Sequence, residues 1–153
     1  FSRKENEWHN SGDERIRRYF ESGLVPGSEQ IMFENGQNPH GTVFFQEPFY
    51  QLMRQTLWAE QVIKEKDAFF HGASDYIHVH VVPDANTTLR DKTYRKVDWD
   101  NGKGMIATWK ENLRHPEKYV CIDPKKLFEG IIGDEVLSAR YSDLLKYLET
   151  RYW

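Results

Sequence analysis

The chain has 153 residues, of which 39% are hydrophobic, 14% aromatic and 29% charged, and its formal net charge is −3. The composition argues against a disordered segment, and the length is sufficient for one domain with a hydrophobic core. The net charge gives no overall attraction to nucleic acid or to an anionic membrane. The single Cys121 cannot form an internal disulfide, and no apolar run approaches the roughly 20 residues of a membrane span, which favours a cytoplasmic location without membrane contact.

The N-terminal part of the chain predicts one helix and two short extended segments. Ser11 with Glu14 three residues later forms a capping box, and the helix that it opens is expected to stop at Gly23. Residues 30–33 and 42–46 lie on either side of a Gly/Asn/Pro loop and are expected to be short strands or extended pieces.

The strongest element is a long amphipathic helix that is expected to begin at Pro48 and to end near Lys66. Proline is favoured at the first helical position, where its missing N–H costs nothing. Apolar side chains then recur every three or four positions and form a stripe that should face the core, namely Phe49, Leu52, Met53, Thr56, Ala59 and Ile63.

Residues 76–82 form the clearest predicted strand. The segment is almost continuously apolar apart from His78 and His80, as expected for a strand covered on both faces, and Pro83 ends it because proline cannot donate to a ladder.

The C-terminal half continues the alternation of helix and strand. After a polar connection at 84–104, a helix is predicted at 105–113, a short strand at 119–122, a helix opening at Asp123-Pro124 and a closing helix at 141–152. This order indicates a three-layer α/β fold, with residues 1–153 as a single domain.

His78 and His80 are the first candidates for a metal site, because residues two apart share one face of a strand. A metal centre needs at least a third ligand, and the other histidines lie mostly in predicted loops without helpful spacing. Two structural histidines on a helix-covered face are the favoured interpretation, so no metal ligand is assigned in this chain.

Pro83-Asp84 followed by Asp123-Pro124-Lys125 repeats the letters of a PD…DxK nuclease signature. That chemistry uses two carboxylates on neighbouring strands to hold Mg²⁺, with a lysine that positions or activates water. Because a helix is predicted between the two segments, we expect the carboxylates to lie apart, and Asp123 is expected to cap the following helix instead.

Gln51 and Arg54 are the candidate functional residues. They lie three apart on the long helix and therefore point the same way, off the apolar stripe. Near a helix N-terminus, where backbone N–H groups are free, they could contact a phosphate or orient an active-site carboxylate. The alternative is a solvated helix face with Arg54 paired to a nearby acid such as Glu47.

Several motifs taken together resemble a known superfamily. They are the runs EPFYQLMRQTLWAEQ and IHVHVVPDANTTL, Trp109 and the terminal YLETRYW. The chain is similar, over roughly residues 15–153, to the C-terminal half of restriction-endonuclease-like proteins in the PD-(D/E)xK nuclease superfamily. That group has four features in this order along the chain: an R-Y segment, a helix carrying a Gln and an Arg, a buried strand ending in Pro and Asn, and a closing R-Y pair. The matching positions are Arg18-Tyr19, Gln51 and Arg54, Pro83 and Asn86, and Arg151-Tyr152.

The resemblance implies a restriction-endonuclease-like core, DNA as partner and Mg²⁺-dependent cleavage in the intact protein, with no cofactor held by this chain itself. The superfamily's Glu-x-Lys motif occurs nowhere in this sequence. Catalytic strands ahead of Phe1 would make this chain a fragment with a core incomplete at its N-terminus, and the absent initiator methionine favours that explanation. The alternative is a degenerate relative, a non-catalytic α/β binding or assembly module.

Overall fold

The structure is a computed structural model that describes residues 12–65, 72–90 and 102–152. It begins with a helix at 12–16 that continues into a π-helical turn, Arg17–Glu21. The chain reverses at Gly23, whose φ of +81° is a conformation that glycine adopts without strain. The helix therefore ends where the sequence predicts, while the predicted cap residue Ser11 lies outside the described residues.

The long helix α1, Phe49–Lys64, organises the domain. Pro48 is its N-cap. Of the predicted core-facing stripe, Phe49, Leu52, Met53 and Thr56 are buried, whereas Ala59 and Ile63 are half-buried. Glu60 is also buried on this helix, which the stripe did not predict.

Two parallel strands, β1 (His78–Val81) and β2 (Tyr119–Ile122), pair with His78 opposite Tyr119 and Val81 opposite Ile122. Parallel strands require a crossover connection. Within it the structure describes two helices, α2 (Thr87–Arg90) and α3 (Met105–Glu111). The predicted strand at 119–122 is confirmed, and so is the predicted helix at 105–113, which ends at Glu111. The mixed α/β class is likewise confirmed.

The expectation that β1 is covered on both faces is wrong. Its side chains alternate, with His78 and His80 half-buried on the side of α1 and Val79 and Val81 48% and 43% exposed on the other side. The nearly continuous apolar sequence of 76–82 led to the wrong prediction because the two histidines, and not the valines, occupy the covered face. A third layer over this face is therefore not seen in the described part of the chain.

Of the two short strands or extended pieces predicted ahead of α1, the one at 42–46 is wrong. Val43–Phe45 forms a 3₁₀ turn, and all three of its side chains are buried. A strand would alternate its side chains between two faces, whereas this tight turn lets three consecutive apolar residues enter one core beside α1. At 30–33 the pairing is reduced to one antiparallel bridge between Ile31 and Leu113.

Trp109 on α3 is fully buried at the centre of the core. Its ring centroid lies 6.2 Å from that of Phe44, 6.4 Å from that of Phe49 and 6.4 Å from that of Tyr119. These contacts join the 3₁₀ turn, α1 and β2 around one indole, so the core depends on segments far apart in sequence.

The C-terminal segment is a string of helices: α4 (Pro124–Leu127), α5 (Glu129–Ile132), α6 (Glu135–Arg140) and α7 (Ser142–Tyr152). The helix predicted from Asp123 is thus interrupted, at Phe128 and again near Gly133, while the predicted closing helix is confirmed. Of the helices in the described residues, none combines the length and hydropathy that a membrane span requires.

Candidate functional site

The exposed face of α1 carries the two residues singled out by sequence and brings others to them. Gln51, Arg54, Gln55 and Trp58 follow one another at intervals of three, one and three, and all four are exposed. They line a groove of about 440 Å³. Its other walls come from Leu57 and Gln61 of the same helix and from Tyr19 and Leu24. We call this surface the α1 groove.

Arg54 lies in the groove, and none of the described residues is an acidic partner for it. Its Nη1 donates to Gln51 Oε1 at 3.3 Å, and its guanidinium carbon lies 5.6 Å from the centroid of the Tyr50 ring. Within the described residues no carboxylate lies within 4 Å of it, and Glu47, the acid expected in the alternative, pairs with Arg15 at 3.2 Å. The Arg54–Glu47 salt bridge of the alternative is therefore wrong, and no carboxylate of the described residues neutralises the guanidinium.

The start of α1 does not offer the free amides that the sequence suggested. The Tyr50 N–H donates to Gln46 O at 2.8 Å and the Gln51 N–H donates to Pro48 O at 3.2 Å, because the preceding chain turns tightly into the helix. Any affinity of this surface for an anion therefore depends on the Arg54 side chain rather than on these two backbone groups.

Trp58 is the groove residue that sequence reasoning missed. Its indole is 64% exposed, which is unusual for the largest apolar side chain. A flat, exposed aromatic ring beside a guanidinium is a combination that proteins use to stack bases and hold phosphates. The signal was present in the sequence, since Trp58 lies seven residues after Gln51 and therefore on the same helix face.

His78 connects β1 to α1, and His80 connects β1 to β2. His78 Nδ1 lies 3.1 Å from Thr56 Oγ1 and its Nε2 lies 2.9 Å from Gln55 Oε1, while His80 Nδ1 lies 2.8 Å from the Tyr119 hydroxyl. Burial, with a smaller contribution from His80, lowers the pKa of His78 to about 4, and burial also lowers the pKa of His80. Both rings therefore sit as neutral members of a polar network under the helix, the position expected for structural histidines.

Asp84 and Asp123 lie much closer than the sequence reasoning predicted. The helix between them belongs to the crossover of a parallel strand pair, so both residues follow the carboxyl ends of adjacent strands. The Asp84 N–H donates to Asp123 Oδ2 at 2.7 Å. The expectation that they lie apart is wrong, because a helix between two strands in sequence does not separate those strands in space.

The two carboxylates are nevertheless engaged in other contacts. Asp84 forms a salt bridge with Arg90, and Asp123 also accepts the Lys125 N–H at 2.7 Å, which makes it the predicted N-cap of α4. The hydrogen bond from the Asp84 amide is the main cause that lowers the pKa of Asp123. In residues 12–65, 72–90 and 102–152 no group of three or more His, Cys, Asp or Glu side chains could hold a metal ion.

The other positions of the superfamily pattern are only partly brought together. Tyr19 reaches the α1 groove. Asn86 accepts the Leu89 N–H at 3.1 Å at the start of α2. Arg151 donates to the Tyr147 hydroxyl of its own helix at 3.0 Å. The described contacts thus join the R-Y segment to the Gln/Arg helix and leave the closing R-Y pair elsewhere.

Comparison with known proteins gives one result that covers almost the whole chain. Neither the curated proteins nor the solved structures provide a match. Residues 2–153 match the family described as restriction endonuclease associating with ARP. This description agrees with the restriction-endonuclease-related resemblance of the motifs around α1 and β1. The chain belongs to the family of restriction endonucleases associating with ARP.

Proposed function

We propose that this chain is the C-terminal part of a PD-(D/E)xK-type, Mg²⁺-dependent DNA nuclease and is not catalytic by itself. In this proposal the α1 groove contacts DNA. The observation that carries it is that the Arg54 guanidinium, which has no carboxylate partner among the described residues, lines the same groove as the exposed Trp58 indole, in a chain whose family is restriction-endonuclease-related.

Each groove residue has a role that follows from its chemistry. Arg54 offers a planar fork of N–H donors that suits a backbone phosphate. Trp58 offers a ring on which an exposed base can stack, and such stacking tolerates any sequence. Gln51, already bonded to Arg54, holds the guanidinium toward the groove.

The magnesium ion that the superfamily implies does not fit the described residues. Asp84 is neutralised by Arg90, and Asp123 uses both carboxylate oxygens to accept backbone N–H groups. No third carboxylate or histidine joins them in the described part of the chain. The proposal therefore assigns the metal-binding acids to a part of the intact protein outside this chain and derives no catalytic step from these residues.

DNA binding by variants of the chain tests this proposal. Arg54→Ala should weaken binding of duplex DNA, whereas Arg140→Ala should leave it unchanged. Arg140 is a matched control because its guanidinium carbon also lies 5.6 Å from a tyrosine ring, that of Tyr141, on a different helix. Equal effects of the two substitutions would mean that Arg54 contributes to DNA binding only as a general surface charge, and would contradict the assignment of the α1 groove as the DNA site.

A second candidate function, a non-catalytic assembly module, is favoured by the exposed face of the sheet. Val79, Val81 and Val120 are 38–48% exposed on two adjacent strands, and exposed apolar patches mark protein contacts. The family description names an association with ARP, which would be the partner for this face. Loss of ARP co-purification with Val79→Glu, but not with Arg54→Ala, would favour this candidate.

A further inference from the structure

A second cavity lies at the opposite end of the sheet from Asp84 and Asp123. It has a volume of about 520 Å³ and is bounded by the C-terminal part of α1, by residues 29–30 and by the segments that lead into β1 and β2. This volume is within the range of small-molecule sites. Three of the residues that line the cavity each have a buried polar atom without a hydrogen-bond partner in the described residues: Glu60 Oε2, Gln30 Oε1 and the Tyr76 hydroxyl.

Glu60 is the most unusual of the three, because it is a carboxylate only 5% exposed. Its Oε1 accepts two hydrogen bonds, from Ser28 Oγ at 3.0 Å and from the Gln30 N–H at 2.7 Å, which fix the side chain in place. Its Oε2 is buried and accepts no hydrogen bond from the described residues. A buried carboxylate oxygen without a donor is costly, and in native proteins such an atom is normally satisfied by something.

Gln30 supplies a second free acceptor in a defined orientation. The side chain is 3% exposed, and its Nε2 donates to His115 O at 2.6 Å. Since a backbone carbonyl can only accept, this contact fixes which end of the amide is the nitrogen. The amide oxygen therefore belongs to the unpartnered end.

Tyr76 completes the wall as a neutral hydroxyl. Burial, followed by the charges of Glu60, Asp75 and Glu29, raises the pKa of Tyr76, so its proton stays in place at neutral pH. Glu60 Oε2 and Gln30 Oε1 can only accept hydrogen bonds, and the Tyr76 hydroxyl can accept as well as donate. A ligand that pairs with all three atoms must therefore carry hydrogen-bond donors.

The charged residues around the cavity also favour a cationic ligand. Lys118 pairs with Asp75 at 2.6 Å and Lys64 pairs with Glu29 at 4.0 Å. These two lysines are thus matched by the two exposed acids, which leaves Glu60 as the lining carboxylate without a basic partner in the described part of the chain.

We propose that this cavity binds a small organic cation with N–H donors, and that its guanidinium or ammonium head donates to Glu60 Oε2 and Gln30 Oε1, with the Tyr76 hydroxyl as a further acceptor. A guanidinium suits two separate acceptors best, because its N–H groups lie on different nitrogens in one plane. This site is independent of the α1 groove, which lies on the exposed face of the same helix.

Calorimetric titration of the full chain tests the proposal with three probes that share one butyl chain: n-butylguanidinium, n-butylammonium and neutral n-butylurea. We expect saturable one-to-one binding of at least one cation, with butylguanidinium tightest, and none of butylurea. Saturable binding of the guanidinium alone identifies the planar head as the ligand chemistry, and equal binding of both cations identifies the charge. Absence of saturable binding by both cations means that the cavity holds only water and overturns the proposal.

Glu60→Gln provides the decisive variant. The Gln oxygen can still accept from Ser28 and Gln30, while its amide nitrogen replaces the unpartnered acceptor by a donor. We expect cation binding to weaken by at least about tenfold, equivalent to about 1.4 kcal/mol. Glu29→Gln removes the same charge from the exposed rim and should weaken binding less than about threefold. Equal effects of the two variants would contradict the assignment.

Tyr76→Phe keeps the test valid if Glu60→Gln does not fold. It removes one hydroxyl that has no described protein partner, so the fold should be retained. The proposal expects weaker cation binding by this variant, and unchanged binding would count against it.

Discussion

Replacing Arg54 by alanine should weaken binding of duplex DNA to this chain by at least about tenfold, or about 1.4 kcal/mol, because it removes a guanidinium that no carboxylate in the described residues neutralises. The same substitution should barely affect folding. The side chain makes one exposed hydrogen bond to Gln51 and lies 5.6 Å from the Tyr50 ring, an exposed cation–π contact worth about 0.5–1 kcal/mol. We therefore expect the free energy of unfolding to fall by no more than about 1 kcal/mol.

Fluorescence anisotropy with a labelled duplex, repeated over a series of salt concentrations, measures both parts of this prediction. If Arg54 contacts one phosphate, the slope of log K against log salt should decrease in magnitude by about 0.9 in Arg54→Ala. Arg140→Ala should keep the wild-type affinity and slope. Unchanged affinity and slope in Arg54→Ala, together with a lower melting temperature, would refute the reasoning and leave Arg54 a structural residue.

The remaining predictions concern the core, the histidines and the strand ends. Trp109→Ala should lower the free energy of unfolding by about 3–5 kcal/mol in urea titrations, while Trp58→Ala should change it little; similar costs for both would contradict the core described above. The folded pKa of His78, about 4, lies below its unfolded value of 6.5, so the unfolded chain takes up the proton first, and stability should fall as the pH is lowered from about 6.5 to about 4. His78→Gln should reduce this dependence in melts across that pH range, and an unchanged dependence would assign it to other groups. Asp123→Ala should cost about 1 kcal/mol in urea titrations because the N-cap of α4 is lost, whereas Asp123→Asn should retain most of that stability; equal losses would argue against the cap.

The local sequence pattern was sufficient to predict the elements whose helix or strand signals lie within the element and its immediate flanks. α1 follows from apolar spacing after Pro48, and β2 from four residues between a turn and Asp123-Pro124. The 3₁₀ turn at Val43–Phe45 was not predictable in the same way. Its three buried side chains are explained by the Trp109-centred core, which forms only when distant segments meet.

The candidate sites show the same division. Helical spacing predicts that Gln51 and Arg54 point the same way. It does not predict that Glu47 forms its salt bridge with Arg15, which leaves no acid of the described residues beside Arg54. The proximity of Asp84 to Asp123 depends on the parallel pairing of two strands. The cavity beside Glu60 depends on a hydrogen bond between Gln30 and His115, which are 85 residues apart. Contacts of this range leave no local pattern in a single sequence.

Incubation of the purified 153-residue chain with Mg²⁺ and plasmid DNA tests the central claim most directly, because it separates binding from cleavage in one gel. The account predicts that the plasmid is retarded by the wild-type chain, less so by Arg54→Ala, and is not cut by either. Mg²⁺-dependent cleavage that Asp84→Ala or Asp123→Ala abolishes would contradict it, since the acids at the ends of β1 and β2 would then form the catalytic site that the proposal assigns elsewhere.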